Sequence, residues 1–256
     1  MLSYPSAISL STRSLNHLTT LLRGHRRTLG SRWRRLDPGR QALLALAHLR
    51  NGDTYAQLAV GFGIGVTTAW RYIREAVDLL AATAPTLTEA MRRIRRLAFG
   101  ILDGTLISID RIRGHKDRLH YSGKHKRHGV NVQVIADPHG RPVWLSPALP
   151  GATHDLTAAR AHGIIAALTG AAVATLADKA YRGAGGAIGV PHYGRDLPPR
   201  MRDCNSSHNQ IRGIGERANA TLKTWRLLRR LRCCPQQATA LTAAILVLQQ
   251  VEEQHG

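Results

Sequence analysis

Near residue 98 the chain changes its hydrophobic period from helical to strand-like, which rules out an all-α or all-β fold for the chain as a whole. Before that point, Val66, Ala69, Tyr72, Ile73, Ala76, Val77 and Leu80 recur at the three-to-four spacing of one helical face. After it, Val130, Val132 and Val134 alternate, "DPHG" (137–140) makes a turn, and "RPVWLSPAL" (141–149) returns as a second strand. "GILDGTLISID" (100–110) is expected to be a strand ending near Asp103, then a glycine turn and a second short strand. "THDLTAARAHGIIAAL" (153–168) opens with the capping-type residues Thr153 and Asp155 and reads as an amphipathic helix. "AAVATLADKAY" (171–181) is an apolar strand stopping at Asp178, and residues 182–208 read as loop. Helices at about 209–231 and 236–252 follow. Antiparallel strands, a helix, a further strand and closing helices make an α/β mixed sheet flanked by helices.

The helical half is sharply punctuated. Pro38 suits the first turn of a helix, "NGD" (51–53) breaks it, Thr54 is a candidate N-cap, and "GIG" (63–65) forms a turn. Two helices joined by a short glycine turn make a helix-turn-helix pattern, an all-α DNA-binding module. Its second helix carries Thr67, Thr68, Arg71 and Arg74 as candidate DNA contacts. Upstream, "RGHRRTLGSRWRR" (23–35) is a candidate phosphate-contacting arm. "ATAPT" (82–86) reads as a linker before a short basic helix. The expected division is a basic arm over 1–37, a helix-turn-helix domain over 38–85 and an α/β domain over 86–256.

Charge narrows the partner. Lys and Arg total 36 against 16 Asp and Glu, a net +20 with 43% hydrophobic residues. A field of that sign attracts polyanions and makes their binding steeply salt-dependent. Aromatic residues are only 5%, which argues against a membrane-surface helix, and "ALTAAILVL" (240–248) is too short to span a bilayer. Three cysteines, Cys204, Cys233 and Cys234, build no disulfide framework, the first residues lack a secretory pattern, and a reducing cytoplasm fits. His120, His125 and His128 lack the spacing that organises a zinc site.

Three carboxylates stand where strands end or a helix opens: Asp103, Asp178 and Glu216. Glu216 is the only glutamate between Glu89 and Glu252, in a stretch crowded with Arg and Lys. Phosphoryl transfer on nucleic acid uses hard cations held by oxygen ligands, and three carboxylates from separate elements can supply them. Asp155 is a rival to Asp178 as the second ligand, but its place at a helix start favours capping; Asp110 is expected to pair in a loop and Asp137 to sit in a turn. Trp144 and Trp225 read as core. "YSGKHKRHG" (121–129) sets Lys124, Lys126 and Arg127 between two strands as candidate phosphate contacts.

Four stretches together resemble a known family: "LDGTLISIDR" (102–111), "YSGKHKRHGVNVQVIADPHGRPVWLSPALPGATHDLTAAR" (121–160), "LADKAYRG" (176–183) and "GERANATLKTWRLLRRLR" (215–232). They resemble the DDE transposases of bacterial insertion sequences, in particular the IS-five-like, Harbinger-related group. The resemblance implies a ribonuclease-H-like catalytic domain with catalytic, metal-binding Asp103, Asp178 and Glu216. It further implies two Mg²⁺ ions per site with Mn²⁺ as a substitute, double-stranded DNA as partner and a homo-oligomer when two ends are paired. No membrane or small-molecule substrate is expected. Many relatives extend the last motif to Tyr-x2-Arg-x3-Glu-x6-Lys; here Arg212, Glu216 and Lys223 match and Asn209 replaces the tyrosine. Arg212 and Lys223 are thus candidate DNA contacts on the face of Glu216. The expected activity is binding of terminal inverted repeats, then metal-dependent cleavage and strand transfer. The alternatives are an inactive DNA-binding regulator and a nuclease of the same fold without strand transfer.

Overall fold

The computed structural model describes residues 8–30, 33–110, 117–231 and 235–253. Cys233, Cys234 and part of the basic run at 31–32 lie outside them. Contacts divide the chain into two compact units. The first is Met1–Ala84 with Thr224–Arg229 and Ala240–Gly256; the second is Pro85–Lys223 with Arg230–Thr239.

The first unit is helical: α1 (Thr12–Thr28), α2 (Pro38–Asn51), α3 (Tyr55–Phe62) and α4 (Val66–Ala82). Local chemistry sets each boundary. Asp37 caps α2 by accepting from Arg40 N, with Pro38 at the first position. Thr54 and Gln57 form a reciprocal capping box at α3. Gly63, at φ +66°, ends α3 in the left-handed region, and extended Gly65 opens α4. The turn is therefore the glycine turn expected of a helix-turn-helix. Leu18, Leu22, Leu44, Leu49, Ala69, Ala76 and Leu80 are buried, each leucine contributing roughly 1.5–3 kcal/mol.

The expected basic arm is in part folded. Residues up to Thr28 belong to α1. Arg26 donates to Leu36 O and Gln41, and Arg34 pairs with Glu75 at 2.7 Å. Burial pushes the Glu75 carboxyl up, but hydrogen bonds from Arg34 and Gln41 outweigh it and hold the group below the usual range. These arginines satisfy a half-buried network rather than a solvated tail. Trp225 is buried as expected, its indole N–H donating to Gln249. Helix α10 (Ala238–Glu253) brings Glu252 to Ser11 and Ser14. Residues 240–253, grouped by sequence with the α/β domain, thus pack with the N-terminal helices.

The second unit starts with α5 (Leu87–Ile94), capped reciprocally by Thr86 and Glu89. Its sheet comprises β1 (Gly100–Ser108), β2 (Tyr121–Ser122), β3 (Arg127–Ala136), β4 (Pro142–Leu145), β5 (Leu149–Pro150), β6 (Thr175–Ala177) and β7 (Ile188–Gly189). The order is β2-β3-β1-β6-β7, with β4 and β5 also on β3. β1 runs antiparallel to β3 and parallel to β6, so the sheet is mixed. Short α6 (Asp117–His120) precedes β2; α7 (Asp155–Ala161) and α8 (Ile164–Gly170) follow β5; α9 (Pro199–Thr224) follows β7. Ile94, Leu102, Ile135, Trp144, Ala159, Ile164, Leu168 and Tyr181 share one core.

Three expectations change here. β1 is continuous through Gly104, paired with β3 from Ile101↔Ala136 to Ser108↔Gly129, so no turn follows Asp103. The helix expected at 153–168 breaks at Gly163, at φ +67°, into α7 and α8. Helix α9 begins at Pro199, ten residues before the expected start at 209, and runs straight through Gly213 and Gly215. Gly215 is required by packing: a Cβ there would stand 2.6 Å from Ile101 Cγ2 on β1.

Candidate active site

Two strands bring the first two acids together. The parallel register of β1 and β6 ends at Leu102↔Ala177, so Asp103 and Asp178 are the next residues on adjoining strands. Beyond that point β1 continues while β6 stops, opening the sheet at the carboxyl end of β6. Asp178 Oδ1 accepts from Ala180 N at 2.8 Å and caps the turn Lys179–Tyr181. Asp103 Oδ1 accepts from Gly104 N at 2.9 Å, and Oδ2 accepts from Asn219 Nδ2 at 2.8 Å. Burial, and after it the charge of Asp178, pushes the Asp103 carboxyl up to about 6, with Arg212 pulling the other way.

Helix α9 supplies the rest. Its small residues Gly215 and Ala218 are buried, which lets the helix lie close to the sheet. His208, one residue before Asn209, is buried and its Nε2 donates to Ala177 O at 2.9 Å, the carbonyl just before Asp178. Asn209 itself is exposed. Glu216 is 65% exposed and sits 3.3 Å from Arg212 Nη2. Among the described residues no group of three or more His, Cys, Asp and Glu is arranged to hold a metal ion. The structure therefore brings Asp103 and Asp178 together and leaves Glu216 on the neighbouring helix, paired with Arg212. The α9 residue that touches Asp103 is Asn219, one turn after Glu216, a residue the sequence reading missed. The three-residue spacing from Glu216 was its only sequence signal.

A cleft of about 600 Å³ opens beside Asp178, lined among others by Gly104, Lys124, Asn131, Asp155 and Lys179. Lys124, Lys126 and Arg127 are exposed at the β2–β3 connection, Lys126 with φ 51°. Asp155 does not cap α7: His154 holds the N-cap position without a side-chain bond. The Asp155 carboxylate instead accepts from Asn131 Nδ2 at 2.7 Å. Asp110 pairs with Arg230 and Asp137 closes its turn through His139 N and Arg141 N, as their positions implied. In the helical unit, Thr67 and Arg71 are exposed on α4, Thr68 is half-buried, and Arg74 pairs with Asp78 at 3.2 Å.

The family described as "DDE superfamily endonuclease" matches residues 102–250, and the "helix-turn-helix of DDE superfamily endonuclease" matches 34–86. The chain belongs to the DDE superfamily endonucleases. It is 31% identical over 228 residues to a predicted transposase for insertion sequence element IS112 of Streptomyces albus G. The match covers 86% of this chain and 83% of that protein. No solved structure matches. As a transposase-type DDE endonuclease with a helix-turn-helix domain, the protein is a DNA-binding nuclease for which the family implies a divalent metal. Among the described residues no helix is long and apolar enough to cross a membrane.

Proposed function

We propose that this endonuclease is the transposase of an insertion sequence of the IS-five-like, Harbinger-related group, binding terminal inverted repeats and catalysing cleavage and strand transfer. The observation that carries this reading is the side-by-side placement of Asp103 and Asp178 on a chain of net charge +20. These carboxylates suit a divalent cation: they present hard oxygen ligands, and their mutual repulsion, felt at Asp103, is what such a cation relieves. When bound, two Mg²⁺ ions, or Mn²⁺ in their place, supply Lewis-acid stabilisation and a more acidic water. Glu216, now paired with Arg212, would be the third residue to hold the metal in this reading, and the Arg212 guanidinium would then be available to a phosphate. Asn219 holds the Asp103 carboxylate at a fixed angle through Oδ2. Arg212 and Lys223, with Lys124, Lys126 and Arg127, face the phosphates near the cut. Thr67, Thr68, Arg71 and Arg74 grip the repeat, with residues 38–85 as the DNA-binding domain and the catalytic domain beginning at 86. Water hydrolyses the phosphodiester at the element's end and frees a 3′-hydroxyl, which then attacks a target phosphodiester in line and expels the target's own 3′-oxygen, in a homo-oligomer that pairs two ends in the cytoplasm, at the nucleoid.

The test is a supercoiled plasmid carrying the DNA that flanks this gene, incubated with Mg²⁺ or Mn²⁺. Cut ends and joined products are expected from the native chain, and cut ends alone would point to a nuclease without strand transfer. Asp103→Asn, Asp178→Asn and Glu216→Gln should each abolish cutting, by at least about 10²-fold, while DNA binding survives. Full cleavage by any of the three variants sinks its assignment. The exposed, Arg212-paired Glu216 favours one second reading, a DNA-binding regulator without catalysis. Absence of any nick at the flanking DNA with either metal would select it.

A further inference from the structure

Asp155 is a costly residue to seat where it lies. Its side chain is only 12% exposed. Oδ1 accepts from Asn131 Nδ2 at 2.7 Å, with Gln133 Nε2 at 3.4 Å. Those amides are themselves fixed: Gln133 Nε2 donates to Asn131 Oδ1 at 2.7 Å, and Gln133 Oε1 accepts from the buried Tyr181 hydroxyl at 2.5 Å. Asn131 Nδ2 also donates to Thr153 O at 3.0 Å. Tyr181 closes the turn that begins at Asp178, so a buried chain of hydrogen bonds ties that turn to Asp155 through β3. β1 is shaped for the same carboxylate: a Cβ at Gly104 would overlap Asp155 Oδ1. Such a chain fixes the direction of the carboxylate and leaves little freedom to its second oxygen. That oxygen, Oδ2, faces Lys124 Nζ at 3.4 Å, and Lys124 lies on the mouth of the cleft shared with Asp178.

We propose that Asp155 is a positioning residue: seated on the Asn131–Gln133–Tyr181 chain, it holds the Lys124 ammonium over the cleft beside Asp178 to receive a DNA phosphate. A lysine loses the rotamer entropy of its four-carbon stem when it binds a phosphate, and a stem held beforehand lowers that cost. The carboxylate supplies that hold, and its own negative charge is stabilised by the amide donors behind it. The inference rests on the reading of this cleft as the DNA-cutting site.

The sign of one mutation tests it. Removing a carboxylate from a strongly basic protein should tighten DNA binding if charge alone matters. A positioning role predicts the opposite. The probe is a fluorescently labelled generic duplex of about 25 base pairs, titrated by anisotropy between 50 and 200 mM salt with the full chain. Lys124→Gln should lower the slope of log K against log salt by about 0.9. Asp155→Asn should weaken binding about three- to five-fold, the range of a part-exposed ion pair. In the Lys124→Gln background Asp155→Asn should change nothing further, because its effect passes through Lys124. Tighter or unchanged binding by Asp155→Asn overturns the proposal, as does an effect that persists without Lys124. If Asp155→Asn does not fold, the exposed Lys124→Gln still decides: an unchanged salt slope overturns it. Metal-dependent nicking by the native chain is scored separately, so a protein that binds as described but never cuts would refute the catalytic reading alone.

Discussion

On the proposed reading, a proton and a divalent cation would compete for the one carboxylate of Asp103. Its pKa is raised in the folded chain to about 6, from an ordinary value of 3.8. A carboxyl raised on folding contributes stability that is fully present below its unfolded pKa and is lost as pH rises through the folded one. The metal-free protein should therefore lose on the order of 3 kcal/mol between about pH 4 and pH 7 from this group. Asp103→Asn removes that loss. In chelator, thermal unfolding should show the variant gaining on the native chain as pH rises from 4.5 to 7.5. Added Mn²⁺ should stabilise the native chain and not the variant. A difference that stays flat with pH refutes the electrostatic account. At the same scale, Asn219→Ala frees the Asp103 carboxylate from its amide donor and should raise the metal concentration needed for half-maximal cutting. An unchanged metal requirement would show that Asn219 merely packs.

Between elements, the contact of α9 with β1 decides whether the α9 face reaches Asp103. Gly215→Ala places a methyl into Ile101 and should cost about 1–3 kcal/mol, read as a lower denaturant midpoint with an unchanged m-value. Ile101→Ala in the same chain makes room, so the pair should be less destabilised than the sum of the single changes. Strict additivity would mean that the two residues do not meet. In the helical unit, Thr54→Ala removes the capping box of α3 and should cost about 1 kcal/mol of that helix. Arg71→Ala should weaken binding to the proposed terminal repeat, and any stabilisation by Mn²⁺ should be the same as in the native chain.

For the molecule as a whole, +20 is the governing number. If six to ten phosphates are neutralised, affinity for duplex should fall about 10³–10⁵-fold between 50 and 200 mM salt. A shallow slope would show that most of the charge lies away from DNA. Residues 240–253 pack with the N-terminal helices, so those helices are not complete without the end of the chain. A fragment ending at Ala84 lacks the partner of Ser11 and Ser14 in Glu252 and should melt below the full chain.

Much of this was written in local sequence. The capped helices and glycine turn of the helix-turn-helix, the alternation of β3 and the apolar approach to Asp178 follow from spacing and cap chemistry, which act within a few residues. The motifs around Asp103, Asp178 and Glu216 marked the family. Tertiary structure alone decided what required distant partners. Gly104 is no turn, because β3 pairs along β1 on both sides of it and the Asp155 carboxylate occupies the place of its Cβ. Asp155 is no cap, because amides on β3 offer its oxygen better-buried donors than its own helix does. Asn219 meets Asp103 while Glu216 pairs with Arg212, and the close approach of Gly215 to Ile101 holds α9 in that phase. Local patterns fix period, caps and chemistry; which side chains meet across the sheet is fixed only when register and helix phase are packed together.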